Sequence, residues 1–132
     1  MRSTVSIEKS CSDYSTGSKY LGDRFCPALL SIGNVSVRAL YIFRADRLVG
    51  VGLYFASKDF DRLADIFVER YGTPTYRDHD GFAWDGKRAS VILFRYLDNN
   101  SGRGYATITT NAEAETMERL REKQMKDAAK GL

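Results

Sequence analysis

The stretch from Val35 to Pro74, VSVRALYIFRADRLVGVGLYFASKDFDRLADIFVERYGTP, limits the fold more than any other part of the chain. Two apolar segments flank Ala45-Asp46-Arg47, a tight turn, and run straight into a helical pattern. Residues 35–44 are read as a central strand, apolar on both faces around Ala39 to Phe43. Residues 48–56 alternate: Val49, Val51, Leu53 and Phe55 line one face, and Leu48, Gly50, Gly52 and Tyr54 the other. Turn length fixes the register. A three-residue loop sets Ile42 opposite Gly50 and Leu40 opposite Gly52, whereas a two-residue loop sets Phe43 and Tyr41 there. Then Phe60, Leu63, Ala64, Phe67, Val68 and Tyr71 form one apolar helical stripe. Ser57 or Asp59 is the expected N-cap, Gly72 the expected C′ residue, and Pro74 stops the helix.

Either side of this block the pattern is weaker. Residues 3–8 suit a short strand, and 9–27 look like loop before the run Pro27 to Leu30. After the helix, 75–88 read as a polar connection carrying Trp84, the single tryptophan, with a further strand near it. Residues 89–97 and 104–110 read as strands joined by a hairpin loop over 98–103. Thr110 and Glu113 form a capping box for a last helix with mixed charge, whose second half, Glu122 to Leu132, is expected to be solvated.

The expected fold is therefore α+β: an antiparallel sheet of four to six strands, in the order (β)ββαβββα. One amphipathic helix packs on a face, and a charged helix ends the chain. The 132 residues suit one domain, with a loop-rich segment 1–34, a core 35–110 and a helical tail 111–132. Hydrophobic residues at 43% and charged residues at 28% are ordinary for a globular protein. The net charge is +3, and the five bases of 111–132 are matched by five acids, so the excess is scattered. No basic run is interleaved with aromatics, which argues against specific nucleic-acid binding. No apolar run is long enough to cross a bilayer as a helix.

Cys11 and Cys26 are the two cysteines. Both lie in polar sequence with no histidine near them, which disfavours zinc and C-x-x-C redox chemistry and suits one disulfide. The alternative is a pair of free buried thiols in a cytosolic protein. A disulfide closing about fifteen residues stabilises by about 3 kcal/mol in the chain-entropy description.

The runs LYIFRADRLVGVGLYFASKDFDRLADIFVERYGTPT and FAWDGKRASVILFRY resemble a group of small α+β proteins of proteobacteria. The matching positions are Tyr41, Phe43 and Leu48, then Tyr71, Gly72 and Pro74, then Trp84, and last the tail from Lys126 to Leu132. The resemblance covers residues 35–132. It implies export to the periplasm, although the first twenty residues lack a signal peptide, so a mature chain or a cytoplasmic one is expected. The layout is also similar to the helix-on-sheet modules of small outer-membrane lipoproteins and of proteinaceous β-lactamase inhibitors. The resemblance transfers no catalytic residue and implies no cofactor.

Other candidates have structural readings. His79, the single histidine, lies in Arg77-Asp78-His79-Asp80-Gly81, which reads as a polar turn more than a metal site. Gly102-Arg103-Gly104 reads as hairpin chemistry rather than a phosphate nest. Gly50-Val51-Gly52 lacks the context of a dinucleotide fingerprint and suggests close approach of a ring or backbone. Trp84 is either core or a partner anchor. Asn34-Val35-Ser36 and Asn99-Asn100-Ser101 match glycosylation sequons. An enzyme would require Asp78, Asp80 and Asp85 to converge with Arg88. The expected function is non-enzymatic binding of a protein partner, or self-association, through the face bearing Leu48, Gly50, Gly52 and Tyr54, with Trp84 as a further contact. An inhibitor or immunity-type role, or a cytosolic domain docking through its last helix, are the alternatives.

Overall fold

The computed structural model describes residues 11–13, 22–98 and 102–131. The strand expected over 3–8, the sequon at Asn99 and the terminal Leu132 lie outside them. The chain is an α+β fold with one eight-stranded antiparallel sheet and two α-helices. The elements are β1 (Ser12–Asp13), β2 (Arg24–Ile32), β3 (Val35–Arg44), β4 (Arg47–Ala56), α1 (Phe60–Tyr71), β5 (Tyr76–Arg77), β6 (Gly81–Asp85), β7 (Ala89–Phe94), β8 (Arg103–Thr110) and α2 (Asn111–Ala129). Spatial order is β1-β2-β3-β4-β8-β7-β6-β5. Two four-stranded meanders thus meet along β4 and β8, and each is followed by a helix.

The strand count exceeds the expected four to six because the two-residue β1 and β5 and the longer β2 fall in segments not read as strands. For β2 the reason is Pro27: a proline inside an apolar run argues against a central strand. Here β2 lies next to the sheet edge, and among the described residues its outer side pairs with β1 at Arg24 and Phe25 alone. Gly33 and Asn34, both with positive φ, close a two-residue hairpin from Ile32 to Val35. In such a hairpin the flanking pair exchanges both hydrogen bonds and bonded pairs recur every second residue. The pair Pro27↔Leu40 falls between bonded pairs, so the missing N–H faces the edge and removes no bond to β3. Within the segment expected to be loop-rich, Arg24–Ile32 is therefore strand.

The β3–β4 hairpin resolves its register by a third route. Ala45 and Asp46 form a two-residue turn, with φ of 51° and 64°. Phe43 then pairs with Leu48, but Ile42 pairs with Gly50 and Leu40 with Gly52, so Val49 is the extra residue of a bulge. The short turn and the bulge together give the pairing expected of a longer loop.

One sheet face carries the core. Val37, Ala39 and Tyr41 of β3, Leu53 and Phe55 of β4, Ala106 of β8, Val91 and Leu93 of β7, and Phe82 and Trp84 of β6 are buried beneath Phe60, Leu63, Ala64 and Phe67 of α1. Helix α1 is entered through a 3-10 turn, Ser57–Asp59, and Asp59 stands at the N-cap as expected, although its side chain makes no capping hydrogen bond. It ends as expected at Gly72, whose N–H donates to the Val68 carbonyl at 2.8 Å. Trp84 lies in mid-strand rather than in a polar connection. The tether from Cys11 to Cys26 is a disulfide, and Cys26 lies at the margin of this core.

Candidate functional site

The face away from α1 is built by the alternate residues of β2, β3, β4 and β8. Register places Phe25, Ile42, Gly50 and Thr109 in one row, Pro27, Leu40, Gly52 and Thr107 in the next, and Leu29, Arg38, Tyr54 and Tyr105 in a third. The first row is covered at Ile42 by the chain itself. Gly22, with φ of 70°, sits so close to Ile42 that a Cβ there would fall 2.5 Å from Ile42 Cγ2. Its N–H donates to Glu113 Oε2 at 2.8 Å, and Arg44 donates to both carboxylate oxygens of Glu113 at 2.7 and 2.9 Å. The side chain of Glu113 is 1% exposed. The hydrogen bonding of Arg44 to the Glu113 carboxylate is the main cause that raises the Arg44 guanidinium pKa. This latch ties the first turn of α2, the end of β3 and the segment entering β2 over the lower edge of the face.

The third row is open. A groove of ≈690 Å³ runs along it, walled by Phe25, Pro27 and Leu29 on one side and by Tyr54 and Arg103 on the other, with Leu40 in the floor. A second groove of ≈360 Å³ shares Leu29, Arg38, Tyr54 and Arg103 with the first. The rings of Tyr54 and Tyr105 lie 5.1 Å apart. Leu29 is 73% exposed, the highest value among the large hydrophobics described. Arg38 and Arg103 bring two positive charges, and among the described residues no carboxylate lines either groove. The described lining is mostly apolar, with two guanidinium groups.

The residues expected at this site separate. Gly50, Gly52 and Tyr54 share the face, as alternation requires. Leu48 does not stand in line with them, because the Val49 bulge sets it opposite Phe43. Trp84 is on the other face of the sheet, 5% exposed, stacked on Phe82 and donating its indole N–H to the Gly72 carbonyl at 2.8 Å. Its bulk is taken up by the core, as the first of its two readings held. Gly52 is buried, yet a Cβ there would meet only ordinary contacts near 3.9 Å. Sequence reasoning missed Phe25, Pro27, Leu29, Arg38 and Leu40. The signal was present in β3, where Ser36, Arg38 and Arg44 alternate with Val35, Val37 and Phe43, but the apolar run from Ala39 to Phe43 obscured it.

The remaining polar clusters serve turns and joints. Asp78 accepts the Tyr76 hydroxyl at 2.8 Å and the Asp80 N–H at 2.9 Å; these bonds, the tyrosine's first, lower its carboxyl pKa, and the bond to Asp78 raises that of Tyr76. Arg95 bridges Asp61 at 3.1 Å and Asp80 at 3.3 Å and lies 4.3 Å above the Phe60 ring, pinning the start of α1 to the β5–β6 turn. Asp85 and Arg88 lie at the opposite end of β6 from Asp78 and Asp80, so the four do not converge. Among the described residues no three His, Cys, Asp or Glu side chains are grouped to hold a metal ion.

Fold and face together define an antiparallel α+β protein with one covered and one partly open sheet face. No protein family matches the chain, no characterised protein is detectably similar in sequence, and no solved structure is detectably similar in fold.

Proposed function

We propose that this chain is a non-enzymatic interaction protein that docks a partner protein on the open half of the sheet face opposite α1. The observation that carries this reading is the contrast within that face. The Ile42 row is sealed by Gly22 and the Glu113–Arg44 latch, whereas the Leu29–Tyr54 row has an apolar floor open to solvent. Tyrosine and arginine are residue types that concentrate binding energy at interfaces, and half-buried Tyr54 lies in one row with Arg38 and the exposed Leu29. The disulfide supports action in an oxidising compartment such as the periplasm, and no described helix is long and apolar enough to cross a membrane.

Site-specific photo-crosslinking in the native host tests the proposal. A photoreactive side chain at position 29 is expected to give one discrete adduct, which Leu40→Glu abolishes. The same group at Met125, exposed on α2, is expected to give none. An adduct of twice the chain's mass makes the partner a second copy. Identical adducts from positions 29 and 125, or none from position 29, remove the open face as a docking surface.

A further inference from the structure

We infer that the partner is a second copy of this chain. The two copies pack face to face across the sheet surface opposite α1, about a two-fold axis running along the seam between β4 and β8. This rests on the docking reading above and names its partner.

The surface opposite α1 does not end at the groove. Strand pairing carries its rows through the seam into the second meander. The row of Leu29, Arg38 and Tyr54 continues through Tyr105 and Phe94 to Gly81. The row of Leu40 and Gly52 continues through Thr107 and Ile92 to Ala83. From β4 to β6 no side chain in either row is charged. An antiparallel sheet that turns one face to water places polar residues on it. Here Phe94 is 43% exposed, and Ile92 and Ala83 are half-buried. This continuation lies toward the end of the sheet away from β1. An apolar strip of this kind calls for a cover.

Its own pattern says what that cover is. Strand order is symmetric about the seam: β3 and β7 lie one strand out on either side, and β2 and β6 two. A two-fold axis along the seam therefore sets each row on itself in reverse. Tyr54 meets Tyr105 of the other copy, Arg38 meets Phe94, Leu29 meets Gly81, and in the next row Leu40 meets Ile92. Ring meets ring, guanidinium meets ring, and aliphatic meets aliphatic. Leu29, at 73% the most exposed large hydrophobic described, meets a residue with no side chain. Packed sheets lie about 10 Å apart, a depth that one large side chain from each can fill. Where Gly22 stands over Ile42, the other copy brings the short side chain of Ser90. A two-fold axis across the strands through the Arg38 row would instead set Arg38 on Arg38, so charge selects the axis along the seam.

Sedimentation equilibrium of the full disulfide-bonded chain, over about a hundredfold range of concentration, tests this. The parent chain is expected to show a reversible monomer–dimer equilibrium. Phe94→Lys is expected to weaken the dimer about tenfold or more, because it sets like charges together at two equivalent places. Adding Arg38→Glu to that variant is expected to restore affinity to within about threefold of the parent. Within one chain positions 38 and 94 lie three strand spacings apart, roughly 14 Å, so the rescue reads a contact between copies. A parent that stays monomeric, a dimer that Phe94→Lys leaves unchanged, or a loss that Arg38→Glu does not restore overturns the inference. If position 29 then still crosslinks to a different protein, docking on this face stands and only the second copy is lost. If no adduct forms, both readings fail.

Discussion

A Cβ at position 104 would fall 2.2 Å from Cε2 of Phe55 and 2.9 Å from the Phe94 carbonyl oxygen. The cause is cross-strand pairing: Gly104 stands opposite Phe55, and the ring edge occupies the space a Cβ would take. At position 52 a Cβ would meet the Tyr105 and Tyr54 rings at 3.9 Å, ordinary contact. Gly104→Ala is therefore expected to destabilise by about 2–4 kcal/mol, as overpacking against a fixed ring and a carbonyl does. Gly52→Ala is expected to stay within about 0.5 kcal/mol of the parent. Urea unfolding of the two variants separates them, and equal midpoints would contradict this account. The two glycine pairs also mark what residue patterns convey. Alternation located Gly50 and Gly52 on a strand, and positive φ at Gly102 suits the turn chemistry read there. That Gly104, rather than Gly52, lies tight against an aromatic ring depends on β8 pairing with β4, which no local pattern encodes.

The helices show the same division between local and distant information. Helix α1 was legible because its stripe, its Gly72 stop and its burial all follow from spacing. Helix α2 was legible in its start: Thr110 Oγ1 accepts the Glu113 N–H at 3.2 Å, one half of the capping box. The other half is absent, because the Glu113 carboxylate turns to Arg44 and Gly22 instead of returning to Thr110. A cap is local in sequence, whereas the latch joins residues 69 and 91 positions apart. Strand β2, and with it most of the candidate groove, was hidden for a related reason. Its proline is admissible only at an edge, and edge position is a property of the assembled sheet. The latch makes α2 unequal along its length. Glu113→Ala is expected to cost about 2–4 kcal/mol, since it strands the Gly22 N–H and a partly buried guanidinium. Ending the chain at Arg121 removes only exposed helix and surface ion pairs such as Lys130–Asp127, and is expected to cost under about 1 kcal/mol. Thermal unfolding followed by circular dichroism checks both. A truncation as damaging as Glu113→Ala would mean that the outer half of α2 packs on something essential.

At the scale of the molecule, two meanders share one sheet, and the seam between β4 and β8 joins strands about fifty residues apart. Each meander is local, but the seam is not, so the question is whether the halves unfold as one. The chain carries a reporter in one half and a lever in the other. Trp84, buried on β6, reports on the second meander, and the Cys11–Cys26 disulfide staples the outer edge of the first. Strands β2 and β6 are five spacings apart in the sheet, roughly 24 Å, so the disulfide has no direct route to the indole. Core residues nevertheless run without a break from Cys26 across Ala39, Leu53, Ala106 and Leu93 to Phe82 and Trp84, all beneath the one helix α1 or beside it. A continuous core over the seam favours a single cooperative unit. Replacing both cysteines by alanine frees the loop of sequence separation 15 in the unfolded chain and is expected to lower stability by about 2–3 kcal/mol. If the sheet is one unit, Trp84 fluorescence and far-ultraviolet circular dichroism trace the same denaturant transition in the parent chain. In the double variant both then move to lower denaturant by the same amount. A tryptophan transition that stays in place while the circular dichroism curve splits in two would show that the seam does not couple the halves. The groove on β2–β4 would then belong to a half that unfolds without disturbing the core around Trp84.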